Sequence, residues 1–423
     1  MALKALRSFD SAPYAAMSQT ILLLGTLDTK GEEFAFARDV IEDRGHAVLL
    51  LDVGVMDDPA IEPTISAEEV AAKANTSLRA LRAAGDRGMA MDTMTEGAIE
   101  IAHELLADDA FDAVLGLGGS GNTAVATGVM RTLPVGLPKV MVSTMASGDT
   151  APYVGATDIT MMYSVADIAG LNRISRQIIG NAVGAVCGMA EQTIPAGDDR
   201  PLVAATMFGV TTPCVTAVRE HLDEAGYEVV TFHATGSGGR AMEGLIEDGF
   251  IAGVADITTT EWCDELVGGV LSAGPTRLEA AAQTGTPQVV SVGALDMANF
   301  GPMDTVPDDF QDRHLYRHNA QVTLMRTTPE ENAELGQIIA EKLNAATGPT
   351  VLMLPLRGVS MIDAPGESFY DPEADAALFD ALRAHIDPSV VELVEIDAHI
   401  NDPAFADAFA ERLVDLLEAK AEA

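Results

Sequence analysis

The residues best suited to chemistry lie where apolar runs stop. Val114-Leu115-Gly116-Leu117 runs into Gly118-Gly119-Ser120-Gly121-Asn122-Thr123, and a helical stretch, Ala124–Arg131, follows. Glycines let a backbone approach an anion closely, a helix start offers unpaired N–H groups and partial positive charge, and Ser120 and Thr123 add hydroxyls. This pattern suits a phosphate. It is neither the Gly-Lys-Ser/Thr loop of P-loop proteins nor the usual dinucleotide fingerprint, and a tight turn without ligand needs the same residues.

A second cluster, Gly25-Thr26-Leu27-Asp28-Thr29-Lys30-Gly31, follows the run Ile21–Leu24. It reads as a polar loop before a helix over 32–43. Lys30, one of six lysines, offers a point charge for a phosphate, and Asp28 can hold Mg²⁺ through water. Thr26, Asp28 and Thr29 also suit helix capping. Asp52, closing the next strand before Gly54, stands where Rossmann folds place a ribose-binding acid, though farther along than is usual. After the run ending at Val142 come Ser143-Thr144-Met145-Ala146-Ser147-Gly148-Asp149, then Asp158. Ser147 and Gly148 suit a ligand pocket or a turn, and Asp149 and Asp158 are the expected metal contacts. In the second half, Gly236-Ser237-Gly238-Gly239-Arg240 and Thr258-Thr259-Thr260-Glu261 suggest another anion site, with Arg240 as the clamp. His314 and His318 would share a helix face, but no further zinc ligand accompanies them.

These stretches need a scaffold of strands feeding helices. Strand–helix–strand units begin at Ile21 and again at Val203, and Gly25 and Gly45 find counterparts in Gly209 and Gly226. The tail keeps alternating: helix 329–345, strand 350–355, helix 372–385, strand 390–396, helix 403–419. The expected fold class is α/β, two Rossmann-like domains with mainly parallel sheets flanked by helices. Their bounds are a leading tail over 1–18, a nucleotide-binding domain over 19–194, a linker at 195–201 and a second domain over 202–423. A long helix over 164–189 should lead into the linker.

Composition narrows the setting. Of 423 residues, 64 are acidic and 25 basic, a net charge of -39 that disfavours nucleic acid and anionic membrane as partners. The acids are spread along helices, which suits an extreme halophile whose salt screens them within roughly 3 Å at 1 M. With neither a long apolar run nor a signal-like block, a cytoplasmic location is expected. Cys187, Cys214 and Cys263 lack metal spacing and read as buried thiols.

Several of these stretches are shared. Gly25–Glu33, Leu117–Gly121, Ser143–Asp149, Pro152–Gly155 and Asp158–Ser164 resemble, in order, the motifs of an uncharacterised bacterial and archaeal family. That family includes the N-terminal ATP-binding region of the tomato mosaic virus resistance protein. The resemblance implies a homodimer with ATP and Mg²⁺ held by the N-terminal half. Its contacts would be Asp28, Thr29, Lys30, the strand end near Gly54 and Gly118 to Gly121; Asn122 stands where many relatives have glycine. An ATPase or kinase-like enzyme acting on a small molecule in an interdomain cleft is the first functional expectation. A non-catalytic nucleotide-responsive sensor, or an isomerase or oxidoreductase, is the alternative.

Overall fold

The structure, a computed structural model, describes residues 18–194, 197 and 200–422. Residues 1–17 of the expected tail, and 195, 196, 198 and 199 of the expected linker, lie outside the described residues. The chain divides into two compact units, Met1–Pro195 and Ala196–Ala423.

In the first unit the run Ile21-Leu22-Leu23-Leu24 is apolar throughout because its strand is covered on both faces. Side chains alternate across a strand. Leu22 and Leu24 enter one core layer, Ile21 and Leu23 the other, and all four are fully buried. That strand, β1 (Thr20–Gly25), leads through α1 (Leu27–Asp43) to β2 (Ala47–Asp52). A long excursion follows through α2 (Ala67–Lys73), α3 (Leu78–Ala84) and α4 (Arg87–Ala107) before β3 (Ala113–Gly118). Then come α5 (Ser120–Met130), β4 (Lys139–Ser143), the single turn α6 (Ala151–Val154), β5 (Thr160–Tyr163) and α7 (Arg173–Ala190). The five strands are parallel in the order β2-β1-β3-β4-β5. Helices α2, α4 and α5 cover one face; α1 and α7 cover the other. Phe34 of α1 lies so close beneath the end of β1 that a Cβ at Gly25 would stand 2.0 Å from its ring. Burying a phenylalanine contributes about 1.5–3 kcal/mol, and only glycine leaves it the room.

The second unit opens with β6 (Leu202–Met207), α8 (Thr212–Glu224), β7 (Glu228–His233), α9 (Ser237–Glu247) and β8 (Gly253–Thr258). It continues with α10 (Glu261–Val267), α11 (Ala280–Thr284), β9 (Gln288–Gly293), β10 (Met297–Phe300), β11 (Leu315–Arg317) and β12 (Thr323–Arg326). It ends with α12 (Pro329–Asn344), β13 (Thr350–Pro355), α13 (Pro372–His385), β14 (Val391–Ile396) and α14 (Pro403–Glu422). Its main sheet is parallel, in the order β14-β13-β9-β8-β6-β7. Counted from each unit's first strand, both sheets therefore run second, first, third, fourth. The shared punctuation of the two halves reflects this common topology.

Two local expectations change. A small antiparallel sheet, β10-β12-β11, sits inside the second unit. It places β11 between His314 and His318, so the pair shares no helix face. The helix expected over 164–189 begins only at Arg173, because Asn172 caps it with both Ile174 and Ser175 amides and Gly170 turns the chain at φ +83°. Between them, Ala166 N–H donates to the Ser164 carbonyl at 2.7 Å around Val165, whose φ is +64°. A β-branched residue in that region is strained. Among the described residues no helix is long and apolar enough to cross a membrane.

Candidate functional site

In open parallel sheets, ligands bind beyond the carboxyl ends of the strands where the order reverses, and here that point lies between β1 and β3. The first side of the crevice is the start of α1. Thr26–Gly31, expected as a loop, is instead helical from Leu27, broken at Lys30 (φ −128°, ψ 19°). The early start has a cause outside the local sequence: the Asp52 carboxylate accepts the Leu27 amide at 3.0 Å and the Gly54 amide at 2.9 Å. The other side is the start of α5. No side chain caps it; Gly119 is its N-cap, extended at φ −83°, and Thr123 N–H returns to the Gly119 carbonyl at 2.9 Å. The amides of Ser120, Gly121 and Asn122 thus head the helix without helical partners.

These two helix starts, with the α3–α4 turn, enclose a cavity of about 830 Å³. It gathers Thr26, Asp28, Thr29 and Lys30 from α1 with Gly119, Ser120 and Gly121 from α5, seven of the expected positions. Sequence reasoning missed Arg82 and Arg87, which also line it with Asn122, and the apolar wall of Val55, Leu81, Met91 and Met94. In a chain so acidic, three cations at one cavity are a concentration of positive charge. Lys30 Nζ donates to the Ile168 carbonyl. Arg82 donates to the Val55 and Asp57 carbonyls. Arg87 reaches over the α5 start, its Nη2 3.5 Å from where a Cβ on Gly121 would stand.

Two buried acceptors also lack partners: Asp28 Oδ1 and Asn122 Oδ1. Asn122 is only 6% exposed, and its Nδ2 is committed to the Leu117 carbonyl. Asp28 Oδ2 accepts the Met56 amide at 2.9 Å, and a Cβ on Gly54 would press within 2.7 Å of the Asp28 carboxyl. An orphaned carboxylate oxygen beside phosphate-type donors fits a Mg²⁺ held by one protein carboxylate plus ligand and water oxygens. Among the described residues no group of three or more His, Cys, Asp or Glu is placed to hold a metal by itself.

The remaining expected positions stand outside the cavity. Asp52 is 1% exposed; burial pushes its carboxyl above the ordinary range, against the Leu27 and Gly54 amides that pull it down. Those two bonds, rather than a ribose, occupy Oδ1. Gly118 closes β3 against the Asn122 side chain. Thr123 Oγ1 is consumed by the Gly119 carbonyl at 2.8 Å and Ser143 Oγ at 2.6 Å. Ser147, Gly148 and Asp149 are exposed on the loop after β4, where Asp149 accepts the Ala151 amide at 3.0 Å. Asp158 is not free for a metal: Lys139 Nζ, on a fully buried side chain, pairs with it at 2.7 Å, and the Gly136 amide adds a bond at 2.9 Å.

The expected anion site of the second unit is filled from within. The carboxylate of Glu261, wholly buried, accepts the Gly236 amide at 2.7 Å and the Gly239 amide at 3.1 Å. Arg277 neutralises it at 2.8 Å while forking onto both Asp256 oxygens at 2.6 Å and reaching Glu243 at 3.1 Å. Arg240, the expected clamp, donates instead to the Ser272 carbonyl.

Comparison with known proteins follows the same division. A UPF0261 protein of Clostridium tetani is 53% identical over 403 residues, covering 95% of this chain and all of that protein. One from Rhizobium meliloti is 50% identical over 92% of this chain and 96% of its own length. The tomato ToMV resistance protein Tm-1(GCR237) is 45% identical over 78% of this chain, which spans 45% of that longer protein. The N-terminal domain described as Uncharacterised protein family (UPF0261) matches residues 19–195, and its C-terminal domain matches 200–417. The chain therefore belongs to the UPF0261 family.

Proposed function

We propose that the first unit binds a nucleoside phosphate, ATP with Mg²⁺ foremost, in the cavity between the starts of α1 and α5. One observation carries the reading: the α5 amides after Gly119 are uncapped and open on a cavity lined by Lys30, Arg82 and Arg87. A phosphate there meets a helix N-terminus and full cations together. Val55, Leu81, Met91 and Met94 offer an apolar face to a base, and a few polar groups on a mostly apolar wall suit a small-molecule site. Asp28 would hold the metal, which neutralises phosphate charge when bound. The motif resemblance of the N-terminal half implies the same nucleotide.

The test is chemical unfolding with and without Mg-ATP. At about 100 times its dissociation constant the ligand adds about 2.7 kcal/mol of stability. Gly121→Leu, whose new Cβ would lie nearest the flexible ends of Met91 and Arg87, should fold and lose that gain. An undiminished gain in this variant would move the ligand elsewhere.

A second reading, a nucleotide-responsive switch, is favoured by the Lys30 bond to Ile168. It ties the cavity to the segment carrying the strained Val165 turn. Sustained phosphate release from Mg-ATP counts against a pure switch.

A further inference from the structure

Of the three cations lining the cavity, Lys30 and Arg82 already donate to backbone carbonyls. The Arg87 side chain makes no hydrogen bond or ion pair among the described residues. Its side chain is exposed at the first position of α4, where the helix's own partial positive charge repels a cation. The adjacent Asp86 carboxylate is turned to the Met89 amide at 3.0 Å, as the N-cap of that helix. The guanidinium instead lies beside Gly121, so a full positive charge and the uncapped start of α5 converge on one place. Asn122, nine-tenths buried with an unpartnered oxygen, lines the same wall.

Asp28 and Asp86 line the cavity too, but each accepts a backbone amide, whereas the Arg87 charge stands uncommitted beside the open start of α5. A helix N-terminus supplies about half an elementary charge, suited to a single phosphoryl group. An additional uncommitted guanidinium suits a second or third, which its planar fork can grip by two oxygens. Resting on the nucleotide reading above, we infer that Arg87 selects for phosphate-chain length: it engages phosphates beyond the first, favouring nucleoside di- and triphosphates over monophosphates.

Calorimetric titration of the full chain with Mg-ATP, Mg-ADP and AMP tests this, using wild type, Arg87→Gln and Arg87→Lys. Because Arg87 is exposed and unbonded, both variants should keep the wild-type unfolding midpoint. Arg87→Gln should weaken Mg-ATP by about tenfold or more and Mg-ADP by less. AMP should stay within about twofold. Arg87→Lys should recover only part of the Mg-ATP loss, since it restores charge without the fork. Equal loss for all three nucleotides, or no loss, overturns the assignment to Arg87 while leaving the nucleotide reading intact. Failure of wild type to bind any of them overturns both.

Discussion

The two glycine-rich turns of this protein each lead from the end of a parallel strand into a helix, after β3 in one sheet and β7 in the other, and they have opposite fates. At Gly119–Gly121 the helix-start amides are open, and positive charge gathers around them. At Gly236–Gly239 equivalent donors are taken by Glu261, itself locked by Arg277. The difference teaches that a glycine turn before a helix specifies an affinity for negative charge, not its source. One unit leaves its donors open; the other supplies a carboxylate of its own.

The sharpest way to break this comparison is Arg277→Met. Removing one partner from a buried charge cluster typically costs about 3–5 kcal/mol, and here Asp256, Glu261 and Glu243 would be left without their common cation. Denaturant unfolding should show that loss. A cost below about 1 kcal/mol would mean that the cluster does not hold the second turn.

A smaller effect concerns pH. Near the end of β12, Arg326 faces Asp375 at 2.8 Å and Asp363 at 3.7 Å, while Ser360 donates to Asp296 at 2.7 Å. Burial first, then the Asp363 charge, pushes Asp296 up to about 7 and Asp375 up to about 8. Groups raised in the folded state bind more protons there than in the unfolded chain. Their stabilisation is complete below the unfolded carboxylate range and is lost as pH rises through about 7 to 8. Asp375→Asn should therefore flatten the decline of stability across that window. Parallel profiles for variant and wild type would refute it.

The least disruptive change is Asn122→Ala, at the open turn. It deletes one bond to the Leu117 carbonyl together with an oxygen that has no partner. A cost of about 1 kcal/mol or less is expected from unfolding curves, well under that of Arg277→Met, because nothing inside the protein closes this turn.

Much of this was legible in the chain. Thr350–Pro355 and Pro372–His385 form the strand and helix their patterns predict, since proline and apolar periodicity act locally. The glycine turn after Leu117 and the cluster after Gly25 announced two sides of the cavity. What stayed hidden depends on contacts between distant residues. Asp52 looked like a ribose ligand because nothing nearby shows that it caps Leu27. Arg82 and Arg87 sit in the excursion between β2 and β3, and only the fold returns that segment to the strand ends. Glu261 falls within a stretch that suggests an anion site, whereas its carboxylate turns inward onto Gly236, Gly239 and Arg277.

The pairing of β1 with β3, Leu22 opposite Val114, also bears on assembly of the first unit. The strand made earliest gains its second neighbour only after the whole α2–α4 excursion has emerged, and such distant parallel closures are slow. Because the cavity takes one wall from each side of that seam, an occupant would act as a clasp across it. Unzipping of the sheet at this point should slow as the ligand concentration rises.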